Sequence, residues 1–394
     1  MAGLEQTMSG VTVLDFGMNI AGPHATSLLA DLGATVIKVE PPGGETSRTM
    51  APQSDGVSAM VAAMNRNKSY VCLDLRNDAS RPVLARLLEH ADVVVQNLRP
   101  GKSEGLGISA EQCHNVNPRI VHVSVEAFYP AENTRPGYDL LVQAETGMMS
   151  LTGDRDRAPS RLPGSLLDHV TGVWGAFGIV AALHGTRDRT AITLTMSDIA
   201  MSLLGDRVTA HLLTGEVPTR MGSAIGTTTP LQAYTASDGD VVVGAASNPL
   251  FRRFAEVVAP ELVDDPEYAT QDARIRNRDQ LNTLLNERFA KETSATWIRD
   301  LDKAGIPNAY IRDLGEATKR HREMSRTGLR AIADLPGMEL VANPLLDHDA
   351  PPLPHPGGVG ADTAAVLASC GFSNDEIAGF VAAGVVVVGE DGAQ

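Results

Sequence analysis

The sequence predicts a mixed α/β fold built on a parallel sheet, followed by a smaller α+β region. Two observations carry this. Val11-Thr-Val-Leu-Asp-Phe16 and Ala34-Thr-Val-Ile-Lys-Val39 are apolar strand runs on either side of a helical segment, a βαβ unit that requires a parallel crossover. Beyond residues 214–227, which are enriched in Gly, Pro, Ser and Thr, a hairpin pattern opens a region with its own acidic helices.

Gly17 ends the first strand. The first helix has Pro23 in its first turn, runs through Ser27-Leu-Leu-Ala-Asp31 and stops at Gly33. The second strand ends at Glu40, and Pro41-Pro-Gly-Gly44 is a loop. A third strand is expected over 69–75, with a helix over 80–89. Ala91-Asp-Val-Val-Val95 then runs straight into Gln96-Asn97-Leu98-Arg99. Ligands of open α/β sheets collect at the carboxyl ends of strands. Asn97 and Arg99 therefore either meet an anionic ligand or form a plain loop. A strand at 120–124, a helix from Asp139, a short strand at 193–197 and a helix at 198–209 complete the first part. The second contains a hairpin at 231–235 and 241–244, then helices at 249–258, 279–290 and 295–304. Residues 347–358 read as a proline-rich connector. Ser373-Asn-Asp-Glu376 is a capping box for the last helix.

A formal net charge of −15 argues against sequence-independent nucleic-acid binding, which needs a basic footprint. Residues 36–102 differ, with nine Lys/Arg against seven Asp/Glu, enough for a small anionic ligand or only a solvated face. Three cysteines without metal spacing fit a reducing cytosol and no metal site. Met1–Gly10 lacks a signal-peptide pattern. The longest apolar helix carries glycines and is expected to fall short of the ~20 residues that span a bilayer, so no membrane partner is expected.

One carboxylate stands out. Gly164-Ser-Leu-Leu-Asp168-His-Val-Thr-Gly172 precedes Val173-Trp-Gly-Ala-Phe-Gly-Ile-Val-Ala-Ala-Leu183, apolar on every side, and such a helix belongs in an interior. Ser165-x-x-Asp168 fits a capping box, and a helix N-terminus would keep a carboxylate ionised. The stretch alone reads more readily as a cap than as a catalyst. A nicotinamide site is disfavoured, although Glu40 lies at the spacing of a ribose-binding acid. Gly17-x4-Gly22-Pro23 is not G-x-G-x-x-G, and Pro23 removes a phosphate donor.

The ordered set Gly10-Val-x-Val-Leu-Asp-Phe16, Ala21-Gly-Pro23, Leu32-Gly-Ala-x-Val-Ile-Lys-Val-Glu40, Asn65-Arg-Asn-Lys68, Asn97-x-Arg-Pro-Gly101, Gly137-Tyr-Asp139, Asp168-x-x-x-Gly172 and Ala304-Gly-Ile-Pro307 resembles the family III CoA-transferases (the CaiB/BaiF group, which includes formyl-CoA and carnitine CoA-transferases). The resemblance covers about residues 8–385. It implies a Rossmann-like large domain at 1–213, a linker at 214–227, a small domain at 228–325, a returning linker at 326–358 and a C-terminal segment, 359–394, packing back on the large domain. It also implies an interlocked homodimer in the cytoplasm. Asp168 matches the family's nucleophile, which passes CoA from an acyl-CoA to a small carboxylic acid through a mixed anhydride and an aspartyl-CoA thioester. Asn19, Ile20, Ala21, Leu73, Arg76, Asn97, Leu98 and Tyr138 match CoA-contacting positions. CoA is then a substrate, and no cofactor is permanently bound.

Departures from the family pattern fall at Pro41 and Gly105, where basic residues occur in some members, and at Arg187-Asp-Arg-Thr-Ala191. Another falls at Gly244-Ala-Ala-Ser-Asn248, a flap position with a single Gly. A racemase of the same fold is the nearest alternative. It needs a second base, and here Tyr138 stands at the usual His position, with His169 the substitute candidate. A non-catalytic CoA-binding protein is a further alternative.

Overall fold

The structure, a computed structural model, describes residues 3–130, 135–346 and 351–389. Part of the expected connector, 347–350, lies outside the described residues. The chain forms two compact units. Met1–Met148, Leu162–Leu213 and His321–Gln394 make the first, and Met149–Arg161 with Thr214–Arg320 the second.

The first unit is a mixed α/β unit around a mainly parallel sheet. Its elements are β1 (Thr12–Asp15), α1 (Ala21–Asp31), β2 (Thr35–Glu40), β3 (Lys68–Leu73), α2 (Arg81–Glu89), β4 (Val93–Gln96), β5 (Val121–Glu126), α3 (Asp139–Glu145), α4 (Leu166–His184), β6 (Ala191–Thr195) and α5 (Met196–Leu203). Strands β1–β6 pair in parallel in the order β3-β2-β1-β4-β5-β6, the doubly wound order.

Both sheet faces are buried, as an all-parallel array requires. Val13, Val93, Val95, Val121 and Val123 pack with α1 and α4 through Leu29 and Ile179. Leu14, Ile37, Val71 and Val94 face the opposite layer, with Leu84 and Leu87 of α2. The strand expected at 193–197 ends at Thr195, because the Thr195 hydroxyl accepts the Asp198 N–H and starts α5. The single helix expected at 198–209 is two, Met196–Leu203 and Gly205–Thr214.

The second unit joins β7 (Leu231–Thr235) and β8 (Asp240–Gly244) in the expected hairpin. It also contains α6 (Asn248–Val258), α7 (Arg278–Phe289), α8 (Ser294–Lys303) and β9 (Asn308–Tyr310), a strand sequence reading missed, which pairs with β8. Tyr234, Phe254, Phe289 and Trp297 form its aromatic core. Arg274 is fully buried. Its guanidinium donates to Thr229 O at 3.0 Å, Tyr268 O at 2.9 Å and Asn248 Oδ1 at 3.0 Å. That side chain ties down the 244–248 segment, the flap position that carries a single Gly.

The chain returns through α9 (Thr363–Ser369) and α10 (Asn374–Ala382), opened by the expected capping box. It ends the described fold in β10 (Val386–Val387), which adds an antiparallel edge to β3. In the first unit, Asp362 Oδ2 accepts the Tyr70 N–H at 2.7 Å, and Asn343 Nδ2 donates to Asp31 at 3.1 Å.

Helix α4 corrects an expectation. Its 19 residues are long and apolar enough to span a bilayer by length and composition alone. In this fold it packs along α1, burying Leu167, Thr171, Gly172, Gly175 and Ile179. The opposite stripe is open, with Val173 at 52% and Phe177 at 65% exposure. Gly172 sets the α1–α4 approach: a Cβ there would lie 2.8 Å from His24 Cδ2 and 3.0 Å from Ala21 O. At Gly178 an added Cβ meets only Ile192 methyl groups, the nearer at 3.5 Å.

These two glycines give opposite expectations. Gly172→Ala gains helix propensity of up to ~1 kcal/mol but overpacks a tight contact at a cost of about 1–3 kcal/mol, so it is destabilising. Gly178→Ala is neutral or stabilising. Urea denaturation of the two variants checks the difference, and equal midpoints would contradict this account of the packing.

Candidate active site

The strand order reverses between β1 and β4, so the loops leaving these strands flank the crevice where doubly wound sheets hold ligands. Side chains fix the β1–α1 loop. The Gly17 N–H donates to Asp15 Oδ1 at 2.7 Å. Asn97 accepts the Met18 N–H at 2.7 Å and donates from Nδ2 to Met18 O at 2.8 Å. Asn19 has a left-handed φ of 61°, which Asn tolerates better than most residues, and its N–H donates to Glu45 Oε2 at 2.9 Å. Asn97 thus braces the loop with an amide the sequence had left between ligand contact and loop.

A buried charge cluster lies behind this loop. Lys68 Nζ reaches Asp15 Oδ2, Pro23 O, Met64 O and Asn65 Oδ1 at 2.8–2.9 Å. Lys38 Nζ donates to Gly17 O and lies 3.6 Å from Glu45 and 3.8 Å from Asp15. Burial opposes ionisation of Asp15, but Lys38 and Lys68 hold its pKa below the ordinary value. Burial pulls Lys68 down to about 8. Each lysine has several oxygens around it, which is how two ammonium groups persist in an interior.

Asp168 sits in the first turn of α4. The expected cap fails, because the Ser165 side chain makes no capping hydrogen bond. Asp139, from the first turn of α3, supplies the cap instead. Its Oδ2 accepts the Leu167 N–H at 2.8 Å and the Asp168 N–H at 3.2 Å, while Gln143 Nε2 donates to Oδ1. Gln143 is itself aligned by accepting the Leu162 N–H at 2.9 Å. The Asp168 carboxylate is left without a hydrogen bond or ion pair among the described residues. Burial first, then the Asp139 charge, push its pKa up to about 7. The helix terminus does not offset these two effects.

Asp168 faces a cavity of about 920 Å³, within the size range of small-molecule sites. Asn19, Ile20, Ala21, Arg76, Asn97, Leu98 and Tyr138 line the same cavity, so seven of the eight expected contact positions converge on it. Leu73 does not. It walls an adjoining cavity of about 300 Å³ together with Phe16, Val39 and Ile108, and Arg76 and Leu98 border both cavities. Three cations, Arg76, Arg99 and Lys102, line the large cavity from the loops after β3 and β4, and none has an ion pair among the described residues. Glu126, at the end of β5, adds a second acid to the cavity that Asp168 lines. Strands β3 and β5 are four spacings apart, roughly 19 Å at ~4.8 Å per strand. Only Arg76 enters from that distance, because Arg99 and Lys102 follow β4, the strand next to β5.

The sequence missed Glu126, Lys102 and the capping role of Asp139. Glu126 and Lys102 sit where the strand-end rule points. Asp139 gives no local signal, because its partners lie 28 and 29 residues away. His169 does not line the cavity. Its Nδ1 lies 2.8 Å from Ser165 O, and its ring packs 5.0 Å from that of His24. Glu40 is buried and held by Arg48 Nε at 2.9 and 3.0 Å, so it is not free to bind a ribose.

The model of CoA-transferase family III matches residues 8–362. An acetyl-CoA:oxalate CoA-transferase of Acetobacter aceti is 33% identical over 329 residues, 81% of this chain and 84% of that protein. The human succinyl-CoA:glutarate CoA-transferase is 31% identical over 315 residues, 78% and 72% of the two chains. A crystal structure of a CAIB/BAIF family protein from Brucella suis superposes with a TM-score of 0.81 at 27% identity, covering 93% of this chain and 100% of that one.

Asp139→Asn keeps a cap oxygen and removes a charge. In a carbon-13 NMR titration of aspartate-labelled protein, the Asp168 midpoint falls from about 7 but stays above its ordinary 3.8, since burial is the larger cause. An unmoved midpoint would contradict the coupling.

Proposed function

The chain belongs to CoA-transferase family III and is a CoA-transferase, and on that premise we propose that Asp168 is its covalent nucleophile. The observation that carries this reading is a free, partly buried carboxylate facing a cavity at the sheet's switch point. A carboxylate oxygen of Asp168 attacks the thioester carbonyl of the donor. The C–S bond breaks, CoA thiolate leaves and an acyl-aspartyl anhydride forms. The thiolate then attacks the aspartyl carbonyl carbon, giving aspartyl-CoA and the free donor acid. The acceptor carboxylate attacks aspartyl-CoA and displaces the thiolate, which takes the acceptor's acyl group and returns Asp168 as a carboxylate. Each step exchanges one activated bond, thioester or anhydride, for another, so the activation is not lost to hydrolysis. The first-turn N–H groups of Ala21 and Gly22, uncapped by any side chain, are the donors we assign to the developing oxyanion.

CoA would lie along the cavity with its phosphates toward Arg76, Arg99 and Lys102 and its thioester at Asp168. The adjoining apolar cavity at Leu73 suits the adenine end. Lys102, one turn before Gly105, offers the charge that Gly105 lacks. The relatives named above use oxalate and glutarate, which supports a small carboxylic acid as acceptor. Donor and acceptor carboxylates both fit this scheme.

We also propose a homodimer. Its support is the apolar stripe of α4 at Val173, Trp174 and Phe177, with Leu212 and Leu213 at 78% and 85% exposure on the helix Gly205–Thr214. A monomeric chain rarely leaves so much apolar surface open. Sedimentation equilibrium should give twice the 41.6 kDa chain mass, and a monomer would contradict the proposal.

Asp168→Ala should abolish CoA transfer while circular dichroism stays unchanged. The nucleophile must be ionised, so kcat/KM for the acyl-CoA should fall with pH below about 7, approaching tenfold per pH unit, and level off above it. Retained turnover in Asp168→Ala, or a flat profile from pH 5 to 8, would contradict the assignment.

A further inference from the structure

Glu126 is the one acid of the cavity that the transfer scheme leaves without a task. It closes β5, in register with Thr195 of β6, and it lines the same cavity as Asp168. Its carboxylate has no hydrogen bond and no ion pair among the described residues. Of the cavity's cations, Arg76 follows β3, across the switch point, whereas Arg99 and Lys102 follow β4, the strand next to β5, and none is ion-paired with Glu126 among the described residues. Arg135, later in the chain, is stacked over Phe128 at 4.4 Å and bonded to Glu145 at 2.9 Å. Partial burial holds the Glu126 pKa above the ordinary value, as expected for a carboxyl with no compensating charge.

An unpartnered carboxylate accepts hydrogen bonds and repels other carboxylates. The reacting carboxylate of an acceptor must approach Asp168, leaving the remainder of the acid within the cavity that Glu126 also lines. A second carboxylate there would meet Glu126 as a like charge. A hydroxyl there would donate to it.

Resting on the proposed CoA transfer, we propose that Glu126 is a specificity-determining residue that selects acids carrying a hydroxyl over dicarboxylic acids of the same length. Hydrogen bonds to charged acceptors are strong enough to separate such pairs by about tenfold or more.

The experiment uses the full chain with acetyl-CoA as donor and three matched pairs of acceptors: 3-hydroxypropionate and malonate, 4-hydroxybutyrate and succinate, 5-hydroxypentanoate and glutarate. The wild-type protein should favour the hydroxy acid by about tenfold or more in kcat/KM in at least one pair. Glu126→Gln should shrink that ratio at least about fivefold, chiefly through a lower KM for the diacid. The ratio is internal to each protein, so a lower folded fraction cancels from it. A diacid preference in the wild type, a ratio unchanged in Glu126→Gln, or no use of any of the six acids would overturn the proposal. Transfer to any of these acids that survives Asp168→Ala would instead overturn the nucleophile assignment, which keeps the two failures apart.

Discussion

The carboxylate of Asp139 has two opposed effects at the start of α4. It satisfies the N–H groups of Leu167 and Asp168, which the helix leaves open and Ser165 does not cap. Hydrogen bonds to a charged acceptor are typically worth ~1.5–3 kcal/mol each, so this one side chain fixes where α4 begins. Its charge also disfavours ionisation of Asp168 beside it. Moving the Asp168 pKa from 3.8 to about 7 corresponds to roughly 4 kcal/mol, with burial the larger part. The outcome is a carboxylate that is basic for its type and still substantially ionised at neutral pH. Without Asp139, Asp168 would lose the cap that positions it and part of its basicity, burial supplying the larger part.

The opposite wall depends on a different device. The β1–α1 loop has almost no regular structure of its own, so Asp15, Lys38, Glu45 and Asn97 hold its backbone groups one by one. Buried ion pairs add little net stability, because desolvation offsets their attraction. Their contribution here is geometric: Asn19 stays in a left-handed conformation and the first turn of α1 stays open toward the cavity. Gly172 then lets α4 approach Ala21 closely enough for Asp168 and that open turn to share one cavity.

Much of this was legible in the chain. The β1–α1–β2 unit, the strand ends at Asn97 and Arg76, the hairpin of the second unit and the Ser373 capping box all follow from local patterns of three to ten residues. Features set by distant partners were not. β10 is two residues long and exists only because β3 offers an edge. Thr195 turned an expected strand into a helix start. Asp139 reads as an ordinary first-turn acid until the fold brings it to Leu167. The even apolarity of α4 suggested burial on all sides, whereas one stripe lies open in the single chain. Glu126 was hidden for another reason: a polar residue ending a strand has the same local signature whether it faces solvent or a reaction.

The most direct test of the central claim is chemical. Protein incubated with acetyl-CoA and quenched with hydroxylamine should yield, by mass spectrometry, a hydroxamate on the peptide containing Asp168, absent without acyl-CoA and absent in Asp168→Ala. Turnover with no modified Asp168, or modification at a different carboxylate, would contradict the account.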